Sequence, residues 1–200
     1  MSATKLQSAV CGKTVVVTGA SDGIGAQLAP RLAAAGACVI LVARTAEKLK
    51  AVGDKIRAAG GEAHEYLADL SNDDDCQRVV AEILADHGPV DVFVSNAGRS
   101  IRRSAKYQGG ERFHDFQRLM SLNFFGALRM ILGVRPSMVE QKCGHIVQGI
   151  VPPRALWAEP CSPWLVRWPL RECRSARCTC LWCRPKWCSP RAIATTTSPC

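Results

Sequence analysis

A glycine-rich turn between a strand and a helix restricts the fold of this 200-residue chain more than any other feature. Residues 13–18 (KTVVVT) form a short β-branched run, which is typical of a strand buried on both faces. The turn at residues 18–25 follows at once, and apolar residues then recur every four positions, as on one buried face of a helix. These helical positions are Ile24, Leu28 and Leu32. A strand, a glycine turn and a helix in this order are typical of a nucleotide-binding unit.

The turn reads T-G-A-S-D-G-I-G, and each of its glycines has a separate physical reason. Gly19 permits a tight turn with unusual dihedral angles, and Gly23 lets the backbone approach a pyrophosphate. Gly25 lets the helix pack close to the sheet. The first N–H groups of the helix have no intrahelical partner and can bind phosphate. We therefore expect a nucleotide cofactor to bind at this turn. The expected contacts are Gly19, Ser21, Asp22, Gly23, Ile24 and Gly25.

Strands and helices alternate up to about residue 147. The further predicted strands cover residues 38–43, 62–67, 90–95 and 144–147. The predicted inward-facing helical residues are Leu49, Val52 and Ile56; Val79, Val80, Ile83 and Leu84, after a cap at Ser71; and Phe116, Leu119, Met120, Phe124 and Ala127 in a long helix at 113–130. This alternation predicts an α/β fold with a doubly wound parallel sheet of Rossmann type, incomplete at its C-terminal side.

The composition changes abruptly after Val147. Residues 1–147 carry a net charge of +3, and the remaining 53 residues carry +6 of the total of +9. All five Trp, seven of eleven Cys and eight of eleven Pro follow the break, but only one of sixteen Gly does. We therefore expect two parts: a nucleotide-binding Rossmann domain at 1–147 and a poorly packed or disordered tail at 148–200.

Five motifs in order resemble the short-chain dehydrogenase/reductase family. The turn matches its T-G-x-x-x-G-I-G fingerprint, not the G-x-G-x-x-G of other Rossmann enzymes. The other motifs are Asp69-Leu70, Ser95-Asn96-Ala97-Gly98, Asn123 in N-F-F-G, and Gly144 to Val147. The resemblance covers residues 11–147. It implies cofactor contacts from Asp69, Leu70, Asn96, Ala97 and Gly98, and a catalytic role for Asn123.

The residue after the second predicted strand favours NADP(H) over NAD(H). An NAD site usually has an acidic residue there, about twenty positions past the glycines. Here Arg44 stands nineteen positions after Gly25, and a guanidinium can pair with the 2′-phosphate of NADP. Asp22 adds no positive charge to the turn, which is a mild argument against NADP.

The resemblance implies hydride transfer between NADP(H) and a small carbonyl or alcohol substrate. G-R-S-I-R-R at residues 98–103 is most similar to reductases of lipid-like carbonyls, including acyl-CoA reductases. Arg102 and Arg103 could bind an acidic substrate, although a solvated loop pair is the simpler interpretation. We expect a cytoplasmic protein without a transmembrane segment or nucleic-acid partner. A homo-oligomer is typical of the family but doubtful here.

Three catalytic residues of the family have no counterpart in this sequence. The family has a Ser after the fifth strand and a Tyr-x-x-x-Lys on the next helix, where Tyr is the general acid/base. Here Q-G-I-V-P-P follows Val147, and the only tyrosines are Tyr66 and Tyr107, both upstream. We therefore expect an impaired enzyme.

Residues 148–200 have no sustained helical or strand period. We interpret them as the product of a shifted reading frame in a GC-rich gene. A zinc-binding tail is an alternative, but it has one C-x-x-C (Cys180 to Cys183) and no His. Three functions stay open: an active reductase, a nucleotide-binding fragment or truncated product without catalysis, and a chain with a metal-binding tail. We predict no metal ligands among His64, His87, His114 and His145, and we expect Cys38 in the core.

Overall fold

The computed structural model describes residues 3–100 and 113–149, and these form a five-stranded sheet with helices on both faces. The strands are Thr14–Thr18 (β1), Cys38–Ala43 (β2), Glu62–Leu67 (β3), Val92–Ser95 (β4) and His145–Gln148 (β5). The helices are Ala3–Val10 (α1), Gly23–Ala34 (α2), Ala46–Ala58 (α3), Asp73–His87 (α4), Phe113–Met120 (α5) and Ala127–Glu140 (α6), with a π-helical segment at Ser121–Gly126.

All strand pairs are parallel, in the order β3-β2-β1-β4-β5. This is the doubly wound Rossmann arrangement that the alternating pattern predicts, with β1 at the centre. The strand at residues 90–95 starts later than expected, at Val92. The carboxylate of Asp91 accepts the backbone N–H of Thr14 at 2.9 Å, just before the β1–β4 ladder begins.

Alternate residues of the central strands build two separate cores. Val15 and Leu41 point to the face covered by α2 and α3, whereas Val16 and Ile40 point to the face covered by α4 and α6. All four side chains are 0% exposed. Burial on both faces explains why these strands are continuous apolar runs, and each such side chain contributes about 1.5–3 kcal/mol to folding.

The predicted inward face of α2 is wrong at its first position. Leu32 is buried and Leu28 is half-buried, but the Ile24 side chain is 76% exposed. The buried positions of α2 are Gly25, Ala29, Leu32 and Ala33. The inward face of the helix is therefore offset by about one residue from the predicted row, and Ile24 lies outside it.

The cap of α4 is Asn72 rather than the expected Ser71. The Asn72 Oδ1 accepts the backbone N–H of Asp74 at 3.0 Å, whereas Ser71 donates its backbone N–H and its hydroxyl to Asp69. Both residue types suit a cap, so the sequence alone did not decide between them.

The long helix predicted at 113–130 extends to Glu140, and its inward face differs from the prediction. Met120 and Phe124 are 42% and 48% exposed. The π-helical segment explains the exposure of Phe124, because its wider turn shifts the side chains within and after it around the helix axis; Met120 precedes the segment. Gly126, the last residue of the segment, is buried, and the buried positions beyond it are Ala127, Met130, Val134 and Met138.

Residues 150–200 lie outside the described residues, and so do the expectations about that tail. Within residues 3–100 and 113–149, no helix has the length and apolar character needed to span a bilayer.

Candidate nucleotide-binding site

The hydroxyl of Thr18 joins the carboxyl ends of β1 and β4. Its Oγ1 accepts the backbone N–H groups of Asn96 at 3.0 Å and Ala97 at 3.1 Å, and it donates to the Val94 carbonyl at 3.3 Å. The Thr18 side chain is almost fully buried. Thr18 begins the sequence fingerprint without a predicted role, and in the structure it is the anchor between the two strands.

The glycine turn is held against β4 at very close range. Gly19 has φ +66°, and a Cβ there would lie 2.8 Å from the Ala97 Cα. The Asn96 side-chain amide donates to the carbonyls of Thr18 at 3.1 Å and Gly19 at 3.3 Å. A Cβ on Gly25 would overlap the Gly19 carbonyl oxygen and lie 2.7 Å from Asn96 Nδ2. The close packing expected of Gly25 is therefore observed, and Asn96 braces the turn.

Open space remains in front of the turn at Gly23. Its φ is +56°, and a Cβ there would have no neighbour within 4 Å. Gly23 thus serves backbone conformation and leaves room for a ligand, whereas Gly19 and Gly25 serve packing. The N–H groups of Ile24 and Gly25 follow in the first turn of α2, where no intrahelical carbonyl reaches them. A phosphate fits this place.

Asp22 caps α2 and is paired with a cation that the sequence analysis missed. Its Oδ1 accepts the Gly23 N–H at 2.7 Å, and its Oδ2 lies 2.7 Å from the Lys48 ammonium. Lys48, and then the Gly23 N–H, lower the pKa of Asp22. One sequence signal indicated Lys48. A cation in the first turn of α3 interacts unfavourably with the helix dipole, and a neighbouring carboxylate offsets this.

Arg44 follows β2 directly and lies beside the glycine turn, since Gly19 donates to the Val42 carbonyl at 2.8 Å. The Arg44 side chain is exposed and has no hydrogen-bond or ion-pair partner among residues 3–100 and 113–149. A guanidinium without a protein partner at this position is available to an anion.

Asp69 and Leu70 follow β3, the next strand along the same edge. The Asp69 carboxylate accepts the N–H and the hydroxyl of Ser71 at 3.0 and 2.7 Å. Leu70 is 4% exposed, and its carbonyl packs against Gly126. Asp69 is therefore at the edge with the other predicted contacts, whereas the Leu70 side chain is in the core. Ser21 is half-buried within the turn.

Asn123 reaches the same edge from the π-helical segment. Its Oδ1 accepts the Arg99 N–H and its Nδ2 donates to the Arg99 carbonyl, both at 2.8 Å. Gly98 lies next to it, because a Cβ there would be 3.5 Å from Asn123 Oδ1. The side-chain amide of Asn123 therefore holds the backbone that follows Gly98. π-Helical turns are frequent at functional sites.

A family model described as short chain dehydrogenase matches residues 13–150. The chain belongs to the short-chain dehydrogenase family. The match ends at residue 150, three residues after the change of composition, and it includes every residue predicted above to bind cofactor or to act in catalysis.

Two relatives illustrate the sequence similarity. The chain is 49% identical over 145 residues to an uncharacterised oxidoreductase of Mycobacterium tuberculosis, covering 71% of this chain and 42% of that protein. It is 46% identical over 138 residues to a fatty acyl-CoA reductase of Acinetobacter baylyi, covering 69% and 46%. The chain thus spans less than half the length of these relatives.

A solved short-chain dehydrogenase structure has the same fold. The crystal structure of a metagenomic short-chain oxidoreductase in complex with NADP matches with a TM-score of 0.64 and 38% identity, covering 70% of this chain and 62% of that one. The Rossmann-type parallel sheet predicted from the sequence is confirmed for residues 13–149.

Proposed function

We propose that the carboxyl edge of this sheet binds NADP(H), with the pyrophosphate on the turn at Gly19 to Gly25. The observation that carries the proposal is the open space in front of Gly23, at the first turn of α2. Helix N-termini bind phosphate through free N–H groups and the positive end of the helix dipole. The NADP held by the metagenomic relative supports the same cofactor class for this chain.

Arg44 selects the 2′-phosphate in this proposal. It is exposed, it follows β2 at the edge where the turn lies, and Lys48 adds a second cation beside Asp22. A charge-assisted hydrogen bond contributes about 1.5–3 kcal/mol, which corresponds to roughly a 10- to 150-fold change in affinity. Arg44→Asp should therefore weaken NADPH binding by at least about tenfold and leave NADH binding nearly unchanged.

Calorimetric titration of the full chain with both cofactors tests this assignment. The matched control is Lys55→Asp, which makes the same change of charge on the exposed side of α3, at its C-terminal end. The ratio of the NADPH and NADH dissociation constants is the readout, since the two cofactors differ only at the 2′-phosphate. An unchanged ratio in Arg44→Asp, or an equal change in Lys55→Asp, contradicts the role of Arg44.

For the activity, we propose hydride transfer between NADP(H) and a lipid-like carbonyl or alcohol, with an acyl-CoA thioester as the first substrate to test. The similarity to the fatty acyl-CoA reductase of Acinetobacter baylyi supports this substrate class. Asn123 is the one family catalytic residue that we can place in the chain, and it stands at the same edge as Gly98.

A second candidate is nucleotide binding without catalysis, and the sequence after Val147 favours it. The Ser and the Tyr-x-x-x-Lys of the family are missing there, so no side chain donates a proton to the alkoxide that forms as hydride arrives. General acid–base help is worth about two to four powers of ten in rate.

The test compares the rate of NADPH oxidation by this chain with the rate of a variant in which a changed reading frame after codon 147 restores Ser, Tyr and Lys. We expect the restored version to be at least about a hundredfold faster. Equal rates would mean that another proton donor exists and that the account of the defect is wrong.

The division into a cofactor domain at 1–147 and a separate tail at 148–200 is part of this proposal, supported by the end of the family match at residue 150. We also propose a cytoplasmic location. Free thiols at Cys11, Cys38, Cys76 and Cys143 support it, because disulfides are rare in that compartment.

A further inference from the structure

Three elements bring a thiol and two imidazoles together on the α4 face of the sheet, far from the glycine turn. Cys38 is the first residue of β2, His64 lies on the edge strand β3, and His87 is the last residue of α4. The turn at Gly19 is at the carboxyl ends of the strands, whereas this group, which we call the Cys–His cluster, is toward their amino ends.

The register of β2 and β3 explains the meeting. Cys38 pairs with Glu62 and Ile40 pairs with His64, so Cys38, Glu62 and His64 point to one face. Ile40 belongs to the core under α4, and that core sets the end of α4 above the cluster. The three residues are half-buried, so an ion can enter from solvent.

The ligand atoms are close enough for one metal ion to join them after small side-chain rotations. One ligand atom from each of Cys38, His64 and His87 lies within 4.8 Å of the others, and the two imidazole centroids are 4.3 Å apart. Around a tetrahedral zinc ion, ligand atoms stand about 3.3–3.8 Å apart, given bonds of about 2.0–2.3 Å. Closing the cluster thus requires movements of about 1 Å.

Hydrogen bonds already fix the tautomer of His87. The Tyr66 hydroxyl lies 2.6 Å from the Asp86 carboxylate and donates its single proton there. The contact of 3.0 Å between the same hydroxyl and His87 Nε2 must then be donated by the imidazole. The proton is therefore on Nε2, and the lone pair of His87 is on Nδ1, free for a ligand bond.

His64 has the same arrangement with a carboxylate. Its Nε2 lies 3.1 Å from Glu62 Oε1, which cannot donate when ionised, so the proton is again on Nε2. Metal-binding histidines almost always donate their second N–H to a carboxylate or another oxygen in this way. Both imidazoles of the cluster thus have the outer hydrogen bonds of metal ligands.

We propose that Cys38, His64 and His87 bind one divalent ion of the zinc class, with the fourth position open to water. One thiolate and two imidazoles are a donor set that zinc accepts, and three protein ligands leave one position free. Such an ion would tie the edge strand β3 to β2 and to the end of α4. Sequence spacing did not indicate it, because the ligands come from three separate elements and we expected Cys38 in the core.

The test uses the 200-residue chain with the seven cysteines of residues 148–200 changed to Ser, so that they cannot bind metal. We expect calorimetry to show one equivalent of Zn²⁺, and Co²⁺ to give a thiolate charge-transfer absorption. Changing an outer partner typically costs 10- to 100-fold in affinity, so Cys38→Ser, His64→Gln and His87→Gln should each cost at least about 100-fold. Tyr66→Phe keeps all three ligands and should cost about tenfold.

The matched controls are Cys143→Ser and His114→Gln, which change the same residue types at exposed positions outside the cluster. Neither control should alter Zn²⁺ affinity. Imidazole NMR signals provide a readout that needs no variant of the cluster: those of His64 and His87 should shift on addition of Zn²⁺, whereas that of His114 should not. Absence of binding, unmoved His64 and His87 signals, or equal affinity in the cluster variants and the controls would overturn the proposal.

Discussion

Replacing Thr18 with Val should destabilise the protein more than replacing it with Ser. Val has nearly the volume of Thr but no hydroxyl, so the N–H groups of Asn96 and Ala97 lose their acceptor. An unsatisfied buried donor costs about 1–3 kcal/mol. Both donors are only part-buried, so we take about 1 kcal/mol for each, and the lost bond to Val94 brings the total to about 2–3 kcal/mol.

Thr18→Ser gives the opposite balance of packing and hydrogen bonding. Ser keeps the hydroxyl and loses one buried methyl group, which costs about 1 kcal/mol. If packing alone mattered, Thr18→Ser would lower the free energy of unfolding more than Thr18→Val, because Ser lacks a buried methyl group and Val fills the site. Which of the two variants has the lower free energy of unfolding therefore separates the hydrogen-bond role of Thr18 from its role as a core side chain.

Urea unfolding followed by far-UV circular dichroism measures both free energies. Tryptophan fluorescence does not suit the purpose, because all five Trp lie in residues 148–200. A loss of about 2–3 kcal/mol would be a large part of the roughly 5–15 kcal/mol that stabilises a typical domain. The reasoning is refuted if Thr18→Val unfolds within about 0.5 kcal/mol of the parent, or if Thr18→Ser is the less stable variant.

Three further predictions concern the glycine turn. Gly25→Ala should abolish NADPH binding and destabilise the fold, because its Cβ overlaps the Gly19 carbonyl; Gly23→Ala has open space and should cost only about 1–2 kcal/mol from its positive φ. Urea unfolding of both variants decides, and equal losses would contradict the distinction. Asp22→Asn should strengthen NADPH binding by up to about fivefold, since a unit charge at 4 Å in water contributes about 1 kcal/mol. Asp54→Asn, another exposed carboxylate paired with a lysine at 2.7 Å, is the control and should change nothing. Because Lys48 lowers the pKa of Asp22, the contribution of this carboxylate to stability is fully present above the ordinary pKa of an aspartate and is lost as pH falls through the lower pKa of the folded state. Asp22→Asn should therefore reduce the acid-side loss of stability in pH-dependent unfolding.

The central strands β1 and β2 could be predicted closely because each is a buried apolar run, whereas the edge strand β3 is largely polar and gives a weaker signal. β2 and β3 have the predicted bounds, 38–43 and 62–67. Helix faces were predicted less well, because a buried glycine gives no apolar signal, as at Gly25 beside the exposed Ile24, and because periodicity does not say where a π-turn rotates the face, as before Met130.

Most of the candidate site could also be predicted, since the glycine turn and the strand ends are local in sequence. Lys48 was missed because its partner Asp22 is 26 residues away. The Cys–His cluster was missed for the same reason: a β2–β3 register and the end of α4 create it, and no short motif encodes either. Contacts between distant segments are what single-sequence reasoning omits.

The hydrogen bonds of Thr18 have a consequence for the order of folding. The hydroxyl joins residues 78 positions apart, and the same separation divides the Thr18 carbonyl from its brace at Asn96. Contacts this distant in sequence form slowly, because a long loop must close before they can contribute. The turn at Gly19 therefore acquires its final shape only after β4 has docked beside β1. During synthesis, a ribosome must release at least the first 97 residues before the phosphate site exists, so NADP(H) can stabilise this fold only late in its formation.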